Sequence, residues 1–413
     1  MKQTRLKPID LFLVLSLGGT FLFIVLLIAT QGEAMRWLIM ENNFDYSFTD
    51  YFRHVGFTSD MKNFYLNTIE APFPPFAYLL YYLLYSLDPT DEIWDVESWE
   101  AVRDYRFNML IYVMLIILLA LLFRLLTDKI LTYSTSEKNT ALTCAILFSA
   151  PFMAGAIERG NIAFLVMLMV LAAFYLRDSD NAVCREAALL LIAMASGIKV
   201  YPAIMGLLYI REKRWKEAVR LFIYGLLFFF VPYAFTGGIP AMISHLKILF
   251  LFETQSYASW TDIRNFLLSI SKVLGQYENS PYFVKYFKII ENLYLLLCVA
   301  SLFKTDKSWK KALYICGVMS LYVPSSHRYV SIYMAVPLIL YLKDAMEQTE
   351  SGDKGVIYTV LFALIFTNPV YGYFTGWSAD LFIFAPIYVL MIYAFVQEWI
   401  VPAVVRRRLN AAA

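Results

Sequence analysis

The amino-acid sequence predicts an all-α fold, a polytopic transmembrane helical bundle, and three observations support it. Hydrophobic residues make up 60% of the 413 residues, whereas soluble domains contain roughly 45–50%. Charged residues make up only 16%, and the mean hydropathy is +0.58. The apolar residues form runs that approach the length of a membrane span, about 20 residues. The net charge is only +2, so the charge balance does not indicate a nucleic-acid-binding protein.

About twelve apolar segments form the predicted bundle. They are 9–30, 74–87, 107–126, 140–157, 161–176, 187–210, 217–235, 288–303, 311–323, 330–342, 355–367 and 380–401. The first follows a basic segment, residues 2–7, and is too long for the apolar core of a signal peptide. The positive-inside rule places the basic loops 211–216, 304–311 and 406–408 in the cytoplasm. Twelve spans satisfy this rule with both termini in the cytoplasm.

Residues 88–106 carry seven carboxylates and allow a second arrangement. The twelve-span arrangement places this segment in the cytoplasm. In the alternative, 74–87 is a re-entrant helix and 187–210 is a hairpin of two half-helices, so everything between them changes orientation. Acidic residues contribute little to orientation, so charge leaves both arrangements open.

Segments 31–73 and 236–287 face outward in both arrangements and are rich in aromatic and polar residues. Phe48, Tyr51, Phe52 and Val55 recur at helical spacing. We therefore expect short amphipathic helices on the outer membrane surface in these segments.

The first outer segment carries charged side chains from which a site can be built. A carboxylate can take a proton from a hydroxyl, and a cation can bind a phosphate. The candidates are the carboxylates Asp45, Asp50 and Asp60 and the cationic or titratable groups Arg53, His54 and Lys62. For Asp60, the structural alternative is an N-cap of a helix that begins at Met61.

Glu158-Arg-Gly-Asn161 lies between two apolar stretches, where charged residues are costly and often functional. The structural alternative is a Glu158–Arg159 pair at a short turn. Gly160 would then supply the turn geometry and Asn161 would cap the next helix.

Lys199 lies deep in an apolar run and therefore needs an anionic partner or a polar cavity. Gly197 and Pro202 predict a broken helix at this point, and a broken helix can line a cavity. The structural alternative for Lys199 is an ion pair with another span, for example with Glu158.

Two arginines and a histidine complete the candidates. His327 and Arg328 follow residues 324–326 at a predicted outer helix start, where an anion can bind. Arg264 is a similar candidate in the second outer segment. The three histidines of the chain lie too far apart for a metal motif, and we expect them at the surface.

The order of these features resembles the GT-C superfamily of integral-membrane glycosyltransferases, in particular bacterial polyprenol-phosphate-mannose-dependent mannosyltransferase-like proteins. The features are the aspartate-containing outer loop after span one, Phe73-Pro-Pro, Arg159-Gly-Asn161, Gly197-Ile-Lys-Val-Tyr-Pro202 and Lys213-Arg-Trp-Lys216. The resemblance implies a catalytic module in residues 1–270, followed by C-terminal transmembrane helices in 271–413. It favours the twelve-span arrangement, because the seven-span module of this family carries large outer loops after spans one and seven.

The resemblance implies inverting transfer of a hexose, mannose in this branch, from a polyprenyl-phosphate donor to a glycan or glycolipid acceptor on the extracytoplasmic side. The base in this family is an aspartate of the first outer loop; Asp60 fits best, with Asp50 and Asp45 as alternates. The expected donor-binding residues are Lys199, Tyr201, Arg159, Asn161, Arg264, His327 and Arg328, and the expected acceptor or loop contacts are Arg53, His54 and Lys62.

No cofactor is expected to be required, because a lipid phosphate is already a good leaving group. The sequence has no nucleotide-binding loop and no compact carboxylate cluster of metal-ligand type; metal dependence is left open. We expect a monomer in a bacterial cytoplasmic membrane. The alternatives are a transporter or flippase that uses Lys199 and Glu158 as midplane charges, and a polysaccharide ligase or scaffold. The aromatic outer segments and the lack of an internal repeat favour the enzyme.

Overall fold

The computed structural model describes residues 6–39, 44–87, 99–104, 106–254, 262–275, 280–323, 327–347 and 353–412. Every regular element in these ranges is a helix, which confirms the all-α prediction. The acidic segment 88–98 lies outside the described residues, as do residues 259–261 before Arg264 and residues 324–326 before His327.

The α-helices are numbered in chain order. They are α1 (Pro8–Ala29), α2 (Glu33–Leu38), α3 (Thr49–Phe57), α4 (Phe64–Asn67), α5 (Pro75–Tyr85), α6 (Trp99–Asp104), α7 (Arg106–Ile130), α8 (Ser136–Leu147), α9 (Ala163–Leu176), α10 (Ala182–Ile198), α11 (Gly206–Arg211), α12 (Trp215–Phe230), α13 (Gly238–Thr254), α14 (Ile263–Val273), α15 (Ser280–Lys304), α16 (Ser308–Leu321), α17 (Ala335–Glu347), α18 (Asp353–Ile365), α19 (Val370–Tyr373), α20 (Ala379–Phe395) and α21 (Val401–Ala412).

The helices form two compact units. The terminal unit contains Met1–Leu38, Thr127–Met153 and Tyr257–Ala413. The central unit contains Ile39–Leu126 and Ala154–Ser256. The predicted boundary at residue 270, between a catalytic module and C-terminal helices, is a different division of the chain and stays a prediction.

Six helical stretches of the described residues are long and apolar enough to cross a membrane. They are Pro8–Ala29, Arg106–Ile130, Trp215–Ala234, Lys285–Lys304, Arg328–Glu347 and Ala379–Arg406. A seventh forms if Ser136–Leu147 and Pro151–Ile157, which are bent by 59°, act as one span. Three shorter apolar helices, Ala163–Leu176, Gly238–Leu251 and Gly355–Ile365, add to these. The chain is therefore a polytopic membrane protein, as predicted.

The predicted break within 187–210 is present. α10 ends at Ile198, and Lys199 has an extended backbone with φ −139° and ψ 126°. A 3-10 turn, Tyr201–Met205, follows with its proline in the first turn, where a missing N–H costs little. Gly197 allows α10 to approach α12 closely, because a Cβ there would lie 2.9 Å from the Cβ of Phe228.

The terminal unit is held by helix pairs that pack closely. α1 packs against α18, α16 against α17, and α18 against α20. At Gly19 of α1, a Cβ would lie 2.0 Å from the methyl group of Thr367, so a larger residue would require the neighbouring side chain to shift.

Short helices occupy the first outer segment, as its periodicity predicts. Tyr51, Phe52 and Val55 of α3 are buried, with 4% exposure or less. The interpretation of Met61 as a helix start is wrong, because α4 begins only at Phe64. The Asp60 carboxylate accepts a hydrogen bond from the Asn63 side chain at 3.0 Å.

The packing of α3 depends on Gly160, which has a φ of +69°. A Cβ at this position would lie 2.6 Å from the Cβ of Tyr51 and 3.2 Å from its backbone nitrogen. The left-handed conformation and the close contact both require glycine.

We expect Gly160→Ala to lower the thermal unfolding midpoint in detergent micelles. The left-handed backbone alone costs about 1–2 kcal/mol for a residue with a Cβ, and the contact with Tyr51 adds to this. The matched control is Gly225→Ala in α12, where a Cβ would meet nothing within 4 Å. Equal midpoints for the two variants would contradict the role of Gly160.

Candidate functional site

The centre of the candidate site is the Asp50 carboxylate in the first turn of α3. One oxygen accepts a hydrogen bond from the Arg159 guanidinium at 2.7 Å, and the other accepts one from the Asn161 amide at 2.7 Å. The Asp50 side chain remains 15% exposed, while the Arg159 side chain is 10% exposed. Both carboxylate oxygens are thus oriented, yet the group is not sealed from a substrate.

The turn at 158–161 holds α3 through its backbone as well. The Phe48 N–H donates to the Glu158 carbonyl at 2.6 Å, and the Ser47 hydroxyl donates to the Glu158 carboxylate at 3.2 Å. Phe48 itself has a φ of +64°, which turns the chain into α3. These bonds bring Asp50 to the Arg159 and Asn161 side chains.

The Glu158-Arg-Gly-Asn161 motif bonds to residues more than a hundred positions earlier in the chain. Arg159 forms an ion pair with Asp50, and the Glu158 carboxylate accepts a hydrogen bond from Ser47. Gly160 supplies the positive φ, as the structural alternative predicted. The Asn161 side-chain oxygen accepts the N–H of Ala163, the first residue of α9, at 3.0 Å, although the N-cap position itself is Ile162.

Lys199 is the second charged centre of the central unit. The residue is only 4% exposed. Its ammonium lies 4.5 Å from the centroid of the Phe73 ring and 5.9 Å from that of the Tyr201 ring. The Asp50 carboxylate also interacts electrostatically with Lys199. The broken helix therefore brings a buried cation into the neighbourhood of the Asp50 network.

His54 is a third polar group in this part of the unit. The expected surface position is wrong for His54 and for His245, which are 6% and 0% exposed. The His54 Nδ1 lies 3.1 Å from the Tyr78 hydroxyl. Burial lowers the pKa of His54 to about 3, with Asp50 opposing this shift and Lys199 adding to it. The imidazole is consequently neutral near pH 7.

Two apolar cavities open within the central unit. A cavity of about 670 Å³ lies between α10, α11 and α12, and Val200, the neighbour of Lys199, lines it together with Ser196. A second cavity of about 220 Å³ lies between α5, α7 and α9, and Tyr51 and Asn161 line one part of it. Both cavities have largely apolar walls. The first reaches Val200 next to Lys199, and the second reaches Asn161, which bonds to Asp50.

The other residues predicted from the first outer segment lie in different settings. Asp60 is exposed and bonds to Asn63. Asp45 is exposed in a 3-10 turn, and its backbone carbonyl accepts a hydrogen bond from Arg103. Arg53 forms an ion pair with Glu70 at 2.8 Å, while Lys62 is exposed.

Arg264, His327 and Arg328 belong to the terminal unit. Arg328 is 4% exposed and donates to both carboxylate oxygens of Asp380, at 2.7 and 3.2 Å, and to the Leu38 carbonyl. His327 is partly buried beside the Tyr329 ring.

Arg264 lies in a separate buried cluster of the terminal unit. It interacts electrostatically with Asp262, which caps α14 through the Asn265 N–H at 3.1 Å, and with Glu291. Burial raises the pKa of Asp262 above its ordinary value.

Phe73 was not predicted as a site residue, because only the prolines around it stood out in the sequence. Its ring contacts both the Lys199 ammonium and the His54 ring, whose centroid is 4.4 Å away. An apolar residue next to a proline pair carries no sequence signal of such a role. Only the proximity of two segments more than a hundred residues apart reveals it.

We expect acid to destabilise the protein through His54. Between about pH 6.5 and pH 3 the unfolded chain binds a proton at this histidine that the folded chain does not bind, so stability falls as the pH falls. At about pH 5 the loss is roughly 2 kcal/mol. His54→Gln, which can keep a hydrogen bond to Tyr78, should lose less of its unfolding midpoint between about pH 7 and pH 5. His327→Gln is the control and should keep the wild-type pH dependence; identical curves for all three proteins would contradict this prediction.

The comparisons with known proteins agree with a glycosyltransferase. The model of Glycosyltransferase family 87 matches residues 72–324, which is more than half of the chain. Arg159, Asn161 and Lys199 lie within the matched range, and Asp50 precedes it. No curated protein and no solved structure matches the chain. On the family match, this membrane protein belongs to glycosyltransferase family 87.

Proposed function

We propose that the chain transfers a hexose from a polyprenyl-phosphate-linked donor to an acceptor hydroxyl, with Asp50 as the general base. The observation that carries this proposal is the partly exposed Asp50 carboxylate, which Arg159 and Asn161 hold in one orientation near buried Lys199. Mannose as the hexose rests on the resemblance to mannosyltransferase-like proteins alone.

Asp50 replaces Asp60 as the proposed base because of its surroundings. A base must lie where the reacting atoms can be held and must keep one orientation. Asp50 is fixed at both oxygens by residues of another segment. Asp60 is exposed and its carboxylate bonds to Asn63, three residues along the chain, and Asp45 is exposed in a short turn. Neither arrangement supports a preorganised site as well as that of Asp50.

The proposed reaction is a single displacement at the anomeric carbon. The acceptor oxygen forms a bond to this carbon while the bond from the carbon to the phosphate oxygen breaks. Asp50 takes the proton of the acceptor hydroxyl, and the lipid phosphate leaves with the electron pair. Positive charge develops on the sugar in such reactions, so the hydroxyl becomes more acidic as it attacks. A carboxylate paired with Arg159 can then accept the proton.

Lys199 is the proposed ligand of the donor phosphate. A charge-assisted hydrogen bond from an ammonium to phosphate is strong, and more so where water is excluded. The apolar cavity of about 670 Å³ beside Val200 suits the first part of the polyprenyl chain. Tyr201 lies next to this cation and is kept as a donor contact.

The remaining expected donor ligands take no part in the proposed transfer. The Arg328 guanidinium is engaged by Asp380 and Leu38, and Arg264 lies in the buried cluster with Asp262 and Glu291. His327 has no feature that favours a role in transfer. Arg159 and Asn161, which were expected to bind the donor, are instead proposed to orient the Asp50 carboxylate.

The proposed setting is a monomer in a bacterial cytoplasmic membrane, with the site on the extracytoplasmic side. The acceptor is a glycan or a glycolipid; the cavity of about 220 Å³ beside Tyr51 and Asn161 favours one with an apolar portion. We propose transfer without a required cofactor. Among the described residues, no group of three or more histidine, cysteine or acidic side chains is arranged to hold a metal ion.

Asp50→Asn is expected to lower the transfer rate by about 10²–10⁴-fold, because the amide cannot take the acceptor proton. The measurement uses purified protein, a labelled polyprenyl-phosphate hexose and candidate acceptors. Asp60→Asn is the matched control and should transfer at nearly the wild-type rate. The unfolding midpoints of both variants show whether each is folded.

Three outcomes would change the proposal. Normal transfer by Asp50→Asn with loss of transfer by Asp60→Asn would return the base to Asp60. A Lys199→Met variant with an unchanged KM for the donor would remove Lys199 as the phosphate ligand. Movement of the lipid-linked sugar across vesicle membranes without a new glycosidic bond would favour the transporter.

Single-cysteine labelling tests the proposed orientation. In a variant without Cys144, Cys184, Cys298 and Cys316, we expect Lys62→Cys to react with a membrane-impermeant maleimide in intact cells, because exposed Lys62 lies in the outer segment. Exposed Lys216→Cys, in the basic turn, should react only after permeabilisation. The reverse pattern would place the Asp50 side of the molecule in the cytoplasm.

A further inference from the structure

We propose that Phe73 is a positioning residue that holds the Lys199 ammonium in place for the donor phosphate. The proposal rests on the proposed function, because it takes Lys199 as the phosphate ligand. The ammonium lies 4.5 Å from the centroid of the Phe73 ring. A cation within about 6 Å of an aromatic centroid is attracted by the negative face of the ring, and burial strengthens this attraction.

The backbone is held by hydrogen bonds on both sides of the Phe73 Cα. The His245 Nε2 donates to the Pro72 carbonyl at 3.1 Å, and the Tyr65 hydroxyl donates to the Phe73 carbonyl at 2.5 Å. Prolines at 72, 74 and 75 restrict the chain further. Phe73 is 8% exposed and packs on the His54 ring. The ring therefore has little freedom to move away from Lys199.

A residue of α13, His245, also connects Pro72 to Tyr233. The Tyr233 hydroxyl lies 2.5 Å from the His245 Nδ1 and donates a hydrogen bond to it when the His245 Nε2 donates to the Pro72 carbonyl. The His245 ring also packs against Tyr65, with centroids 4.8 Å apart. Two hydrogen-bonded aromatic side chains thus fix the backbone that carries Phe73.

An aromatic ring suits this task better than a second carboxylate. A carboxylate at ion-pair distance would neutralise the ammonium and compete with the incoming phosphate. The ring contributes only partial negative charge, so it orients the ammonium without adding a charged group that competes with the phosphate. The neutral state of His54 fits this arrangement, because a charged imidazole would repel Lys199.

The experiment replaces Phe73 with mono-, di- and trifluorinated phenylalanine, which keep the ring and progressively remove negative charge from its face. The readout is the preference of the purified full-length protein for polyprenyl phosphate over the neutral polyprenol, given by the ratio of the two Kd values. We expect this preference to fall in steps, by about three- to tenfold for the trifluorinated ring. The same series at Phe123, a fully buried residue of α7 that packs on Phe164, should leave it unchanged.

Each outcome of this experiment supports or overturns the positioning role of Phe73. An unchanged preference across the Phe73 series, or an equal fall at Phe123, would overturn the positioning role. A wild-type protein that binds the phosphate and the alcohol equally would overturn it too, because Lys199 would then hold no phosphate. A stepwise fall in a protein that shows no transfer would support Phe73 and would refute the proposed function alone. Lys199→Met gives the value expected when the cation is lost.

Discussion

The close approach of α3 to the turn at Gly160 is the constraint on which the candidate site depends. A Cβ at Gly160 would lie 2.6 Å from Tyr51, so the two segments can meet only because one of them lacks a side chain. Once they meet, the Phe48 N–H reaches the Glu158 carbonyl, and Asp50 comes within hydrogen-bond distance of Arg159 and Asn161. Backbone packing thus determines where the carboxylate lies, and the polar contacts follow from it.

Burial of charge gives this arrangement its chemical character. An isolated ion is expensive in an apolar interior, and a pair or network reduces that cost. Asp50 has two donors, and Lys199 has an aromatic ring and the field of Asp50. A low dielectric strengthens each of these interactions. The central unit can therefore hold a carboxylate and a cation close together, as the proposed transfer from a lipid phosphate requires.

Local features of the fold could be predicted from the sequence, because they depend on neighbouring residues. The apolar runs correspond to helices, Gly197 and Pro202 mark the break at Lys199, and Asn161 bonds to the first residue of α9, one position before the N-cap Ile162. A helix start at Met61 was wrong, because a 3-10 turn ends at Asp60 and α4 begins only at Phe64.

The composition of the site could be predicted only in part. Arg159, Asn161 and Lys199 stood out as polar groups in apolar surroundings, which is a local signal. The choice of Asp50 among three aspartates as the proposed base depends on a distant contact, because Arg159 lies 109 positions further along the chain. The burial of His54 and the place of Phe73 also depend on packing between distant segments. Spacing along a single sequence does not encode these distances.

The side-chain amide of Asn161 forms hydrogen bonds with two different segments, one through its oxygen and one through its nitrogen. Its oxygen receives the Ala163 N–H at the start of α9, and its nitrogen donates to Asp50. An aspartate in this position could keep the bond to Ala163 but would place a second negative charge against Asp50, and a leucine would remove both bonds. Helix initiation and carboxylate orientation are therefore inseparable at this position. A change at Asn161 therefore alters both the start of α9 and the orientation of Asp50.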